Sequence, residues 1–237
     1  MILYVNGCSH TDDLWLVDEN VNKNYIWPCI LMNKISTNYD YFRIQGNSFI
    51  KRPYQETNKF EISINSKLMN DTLINDSVSG AGNDYIFHTT LESIDKLIKN
   101  NNKPDFVIIQ WSGPNRREYC EPNGEIKFIT PYDNPDLGLK FEPMGSLHTL
   151  HYMYILQTFL KRMDIKHLFI NYFGLNQCVK QSNLYNKIRF VDFGNQTIFN
   201  GILPLIMELG LNRDEQGHTN EIGGEFIVKN IFNLISF

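Results

Sequence analysis

Phe106-Val107-Ile108-Ile109-Gln110-Trp111 is a near-continuous run of β-branched and aromatic residues, preceded by Pro104 and closed by Ser112-Gly113-Pro114-Asn115. So short an apolar run between chain-breaking residues reads as a strand buried on both faces, and the residues after it read as a turn. Strands buried on both faces belong to parallel sheets, which need helices elsewhere in the chain to cover them.

Toward the N-terminus, Ile2 to Asn6 is a second buried strand ending at Gly7. Tyr25 to Ile35 places Ile26, Trp27, Ile30, Leu31 and Ile35 at helical spacing, with Pro28 tolerable in a first turn. Thr72 to Val78 reads as a further strand, and Asp84 to Lys99 repeats Ile86, Phe87, Leu91, Ile94, Leu97 and Ile98 at helical period. Toward the C-terminus, Leu147 to Met163 predicts a helix, His167 to Phe173 a strand, and Ile188 to Phe193 a fifth strand. Thr197 to Leu209 predicts a short helix broken by Pro204, and Gly223 to Ile235 a terminal helix.

Residues 37–70 are polar and aromatic and exceed an ordinary connection, so they read as an insertion; residues 116–145 hold Pro122, Pro131, Pro135 and Pro143 and read as an irregular excursion. This alternation of strand and helix predicts one α/β domain over residues 1–237, with a parallel sheet covered on both faces and ligands bound beyond the carboxyl ends of its strands.

At 237 residues the chain fits one core, since cores divide only beyond roughly 250 residues. Hydrophobic residues at 42% against 20% charged exclude a disordered chain. The net charge of −4 and the lack of any basic run beyond Lys51-Arg52 or Arg116-Arg117 argue against nucleic acid as a partner. No apolar run approaches the roughly 18 residues of a membrane span, and Met1 to Asn6 is too short for a signal peptide, so the expectation is a cytoplasmic protein without a membrane partner. The cysteines Cys8, Cys29, Cys120 and Cys178 are far apart with no Cys-x-x-Cys pair, which suggests reduced thiols and no zinc site. No motif for a metal or other cofactor is present.

Three strand ends deliver candidate groups to one edge of the expected sheet: Gly7-Cys8-Ser9-His10-Thr11, then Gly80 with Gly82 and Asn83, then Asn115. A late loop, Asp214-Glu215-Gln216-Gly217-His218, adds an imidazole and two carboxylates. A serine hydroxyl attacks an acyl carbon only when a base removes its proton, and that base is usually a histidine oriented by a carboxylate. Ser9 and His218 suit these roles. The backbone N–H groups of Ser9 and Gly80 and the Asn115 amide would receive the oxyanion. Arg116 is a candidate clamp for an anionic substrate group, against the plainer reading that Arg116 and Arg117 pair with Glu118 or Glu121. Cys8 beside a buried strand reads as inert packing.

These blocks resemble the SGNH (GDSL-like) hydrolase family. Gly7-Cys8-Ser9 is similar to its first block with Cys8 in place of the usual Asp, Asn75 to Gly80 to its second, and Ser112-Gly113-Pro114-Asn115 to its third. The fourth block departs from the pattern: Glu215 stands three before His218 where the family has Asp, and Thr219 follows where it has Pro. Register favours Glu215 as the orienting acid, and a turn bulge would bring Asp214 instead.

The resemblance implies a three-layer α/β/α flavodoxin-like fold and a cofactor-free esterase, deacetylase or acyltransferase acting on a small-molecule or carbohydrate ester. Trp27-Pro28 in the first helix together with the early Gly-Cys-Ser resembles phage-encoded members, which would allow virion association. A catalytically silent glycan-binding or virion-associated module on the same fold is the alternative, motivated by the altered fourth block.

Overall fold

The computed structural model describes residues 1–8, 11, 26–43, 68–123, 126–129, 135–191, 193, 201–212 and 218–235. Strands β1 (Ile2–Asn6), β2 (Asp40–Arg43), β3 (Thr72–Asn75), β4 (Phe106–Trp111) and β7 (Lys166–Asn171) form one parallel sheet in the order β2-β3-β1-β4-β7. Strands β5 (Arg117–Cys120) and β6 (Ile126–Ile129) form a separate antiparallel hairpin.

Helix α1 (Trp27–Ile35) follows β1, α2 (Asn83–Lys99) follows β3, and α3 (Pro135–Arg162) links the hairpin to β7. The chain ends with α4 (Leu203–Glu208) and α5 (Glu221–Phe232).

Side chains alternate across the sheet and divide the core in two. Ile2 and Tyr4 of β1, Val107, Ile109 and Trp111 of β4, and Phe169 of β7 pack under α2 and α3. Leu3, Val5, Phe106, Ile108 and Ile170 pack on the opposite face against residues of α1, α4 and α5. That period-two division makes the fold a three-layer α/β/α arrangement. Along α1, Trp27 to Met32 are all buried, because α5 packs against a helix whose other side meets the sheet. The Trp27 indole N–H donates to Gln110 Oε1 at 2.8 Å, which pins α1 to β4.

The fifth strand of the sheet is not the expected one. Among the described residues Ile188 to Phe193 forms no ladder, although the Val191 N–H donates to the Phe169 carbonyl at 2.9 Å. The fifth strand is β2, drawn from the segment read as an insertion, whose remainder at 44–67 lies outside the described residues. Pairing along the β3 edge selected it, and such a partnership leaves no periodic trace in four residues. Residues 116–145 are likewise more regular than expected. They hold the hairpin and the first turns of α3, which runs through Pro143. A proline inside a helix removes one N–H donor, and apolar periodicity becomes visible only beyond that point. Among the described residues, no helix is long and apolar enough to cross a membrane.

Candidate active site

The carboxyl edge of the sheet is where the chemistry-bearing loops emerge. At the end of β1, buried Asn6 accepts from the Gly7 N–H at 2.7 Å and donates to the hydroxyls of Thr89 and Thr90 at 2.9 Å each, fixing the exit of the strand against α2. The Thr11 N–H donates to the Cys8 carbonyl at 2.9 Å, closing a tight turn over positions 8–11. Gly7 is required by close approach, because a Cβ there would press on the Thr11 hydroxyl and lie 3.0 Å from the Gln110 carbonyl. Cys8 is fully buried with a free thiol, as expected of packing. Ser9 lies outside the described residues.

The loop after β3 is stitched to that turn. The Asp76 N–H donates to the Val5 carbonyl, and the Val78 N–H donates to the Gly7 carbonyl at 3.2 Å. Gly80 has φ +83°, a left-handed conformation that favours glycine. Buried Asn83, at the start of α2, then clamps the third loop. Its Nδ2 donates to the Ser112 carbonyl at 2.9 Å and to the Thr149 hydroxyl at 2.9 Å, and its Oδ1 accepts from the Ser112 N–H at 2.7 Å. Exits from three strands, β1, β3 and β4, are thereby held together.

Beyond Ser112 the chain turns, with the Arg116 N–H donating to the Gly113 carbonyl at 3.1 Å. Asn115 is half-buried and folds toward Gly113, where an added Cβ would lie 2.8 Å from its Oδ1. The expected surface pairing of the arginines is not what the structure shows. Glu118 faces His88 Nδ1 at 3.3 Å, Glu121 faces Lys127 at 3.4 Å, and Arg117 lies 4.0 Å from Asp84 and 3.4 Å from His148 Nδ1. Arg116 instead turns inward. It is 8% exposed, its guanidinium lies 5.2 Å from the centre of the Phe173 ring, and its Nη1 is buried without a hydrogen bond.

His218 is buried at 4% exposure. It precedes the bridge between Thr219 and Asn212, and Asn220 then caps α5 by accepting from the Gly223 N–H at 2.8 Å. Histidine and helix start are therefore anchored together. Glu215 and Asp214, the two candidate orienting acids, lie outside the described residues.

Two carboxyl groups are perturbed near this edge. Asp76 accepts from the Tyr4 hydroxyl at 2.6 Å and the Ser93 hydroxyl at 2.7 Å, yet its complete burial pushes its carboxyl up to about 7, with Glu92 adding repulsion. Tyr4 in turn is raised well above the usual phenol range by burial and by that carboxylate. This group lies under α2, on the other face of the sheet from α5, and is a structural acid. Half-buried Glu118 is also raised to about 7, by burial first and then by Asp84, with His88 opposing. His148 is held below the ordinary histidine range by burial and then by Arg117.

The position of Asp76, one residue beyond the buried Thr72–Asn75 strand, is the sequence signal for this buried acid. Among the described residues, no group of three or more His, Cys, Asp or Glu side chains is arranged to hold a metal ion.

No protein-family model matches the chain, and no curated protein matches it. Among solved structures it is similar to a Bacteroides fragilis protein to which an acylhydrolase activity is provisionally assigned, with a TM-score of 0.44 and 13% identity over 98% of this chain and 85% of that one. At that distance the likeness carries no argument about activity.

Proposed function

We propose that the protein hydrolyses an O-acyl ester, such as an O-acetyl group on a carbohydrate, through an acyl-enzyme on Ser9. The observation that supports this reading is the knitting of three strand exits into one edge. Val78 ties the Gly80 loop to Gly7 at the end of β1, and Asn83 ties the Asn115 loop to the start of α2. Preorganisation of that kind is what an oxyanion site needs, since its donors must already be aimed before charge develops.

In this mechanism His218 takes the Ser9 hydroxyl proton as Oγ attacks the acyl carbon. The resulting oxyanion accepts hydrogen bonds from the Ser9 and Gly80 N–H groups and from Asn115 Nδ2, each donor being worth about 10²- to 10³-fold in turnover. As the tetrahedral intermediate collapses, the C–O bond to the alcohol breaks and His218 returns the proton to the leaving oxygen. Water, deprotonated by His218, then attacks the acyl-enzyme and releases the acid with Ser9 restored. Glu215 or Asp214 orients the imidazole; mutating each separately identifies which.

The test is labelling with a fluorophosphonate probe, read by intact mass on wild type, Ser9→Ala and His218→Ala. One adduct on wild type and none on either variant is expected. A folded wild-type protein that stays unlabelled overturns the serine-hydrolase reading and leaves the binding-module alternative standing.

A further inference from the structure

Arg116 follows the proposed oxyanion residue Asn115 directly, and its environment is unusual for a guanidinium. The side chain is 8% exposed, Nη1 is buried without a hydrogen bond, and among the described residues no carboxylate pairs with it. Arginine cannot shed its charge as a buried lysine does, so a buried guanidinium nitrogen without a partner destabilises a fold. Asp84 faces Arg117 at 4.0 Å and Glu118 faces His88 at 3.3 Å.

The position of the group is specific. Its Cγ lies 3.9 Å from where a Cβ on Gly113 would be, and the same site is 3.7 Å from the Phe173 ring. Gly113 lies just past the carboxyl end of β4 and Phe173 just past that of β7, so the side chain bridges two strand exits at the edge where open α/β sheets bind ligands. The Phe173 ring lies against one side of the guanidinium, whose geometry suits a fork-shaped contact with an oxyanion. Asn115 and Arg116 have Cα atoms about 3.8 Å apart, so an anion on Arg116 would lie within one small molecule's reach of the acyl carbon.

We propose that Arg116 is a specificity determinant that anchors an oxyanion of the substrate, a carboxylate or a phosphate, so that the protein acts on acyl esters carrying a negative charge near the scissile bond. This rests on the reading of the carboxyl edge of the sheet as the ester site. The role is substrate binding, with no proton transferred at Arg116.

Three matched acetyl esters test it: 3-acetoxybenzoate, 3-acetoxyphenyl phosphate and the neutral methyl 3-acetoxybenzoate. Wild type is expected to prefer at least one anionic ester in kcat/KM, and to lose roughly 10- to 100-fold of that preference in Arg116→Met, the size of a lost charge-assisted contact. Arg116→Lys is expected to recover part of the preference, and whichever of carboxylate or phosphate is favoured identifies the group.

Calorimetric binding of the same esters to Ser9→Ala keeps the inference separate from catalysis. Arg116-dependent binding there, with an unlabelled wild type in the fluorophosphonate assay, supports the anion site while the esterase reading fails. Equal kcat/KM and equal binding for anionic and neutral esters, or an anionic preference that survives Arg116→Met, overturns the proposal. A purely structural Arg116 would lower Tm in Arg116→Met and leave the charge preference intact; the anion site predicts an unchanged or higher Tm without ligand.

Discussion

Replacing Asp76 by Asn isolates the energetic effect of one buried acid. The carboxyl has an ordinary value of 3.8 and is pushed up to about 7 by burial in the fold. In the unfolded chain it loses its proton near pH 4, whereas in the native protein it keeps the proton until pH approaches 7. Between those values the native state binds more protons, so stability is full below about pH 4, falls as pH rises, and levels off above about 7. A difference of about three pH units corresponds to roughly 4 kcal/mol.

Asparagine has the same shape and its amide oxygen still accepts from the Tyr4 and Ser93 hydroxyls, but it does not titrate. Its amide nitrogen would occupy the place of Oδ1, which is buried without a partner, at a cost of about 1–3 kcal/mol. Asp76→Asn should therefore gain roughly 3 kcal/mol on wild type between pH 5 and pH 8 and be the more stable of the two near pH 8. Urea unfolding of both proteins at half-unit steps from pH 5 to 8 measures the difference, and subtraction removes other titrating groups such as Glu118. A difference that is constant across that range would show that Asp76 ionises normally and would refute the reasoning.

Asn83→Ala leaves the Ser112 N–H and carbonyl unpaired in a buried site and should cost roughly 2–4 kcal/mol, read as a lower urea midpoint; an unchanged midpoint would mean that water replaces the clamp. A Cβ on Gly145 would collide with the Pro114 carbonyl, whereas one on Gly210 meets nothing within 4 Å and is opposed only by its φ of +64°. Gly145→Ala should thus lower Tm more than Gly210→Ala, whose cost is limited to about 1–2 kcal/mol of left-handed strain. The Lys99–Asp95 pair is exposed on both sides, so Asp95→Ala should move stability by less than about 1 kcal/mol in chemical denaturation.

Much of the architecture was legible because its signals are local. Phe106 to Trp111 and Ile2 to Asn6 announce buried strands by continuous apolar residues between breakers, and the structure places strands there with those bounds. The helix expected from Asp84 runs from Asn83 to Lys99, since a 3.6-residue repeat needs only its own residues to be seen. Gly80 stands after a strand in the sequence, and the structure gives it a positive φ.

What the chain by itself determined is the set of buried strands and helices and the side chains offered near their ends, because covalent spacing and local patterning dictate both. Tertiary structure alone decided which strand took the fifth place, that Asn83 would grip Ser112 across 29 residues, that Asp76 would be sealed under α2 with a raised pKa, and that Arg116 would turn inward onto Phe173. The first depends on pairing with a strand distant in sequence, and the others on the free energy of burying a polar group among distant residues. That free energy is set by the surrounding atoms, and no local pattern carries it.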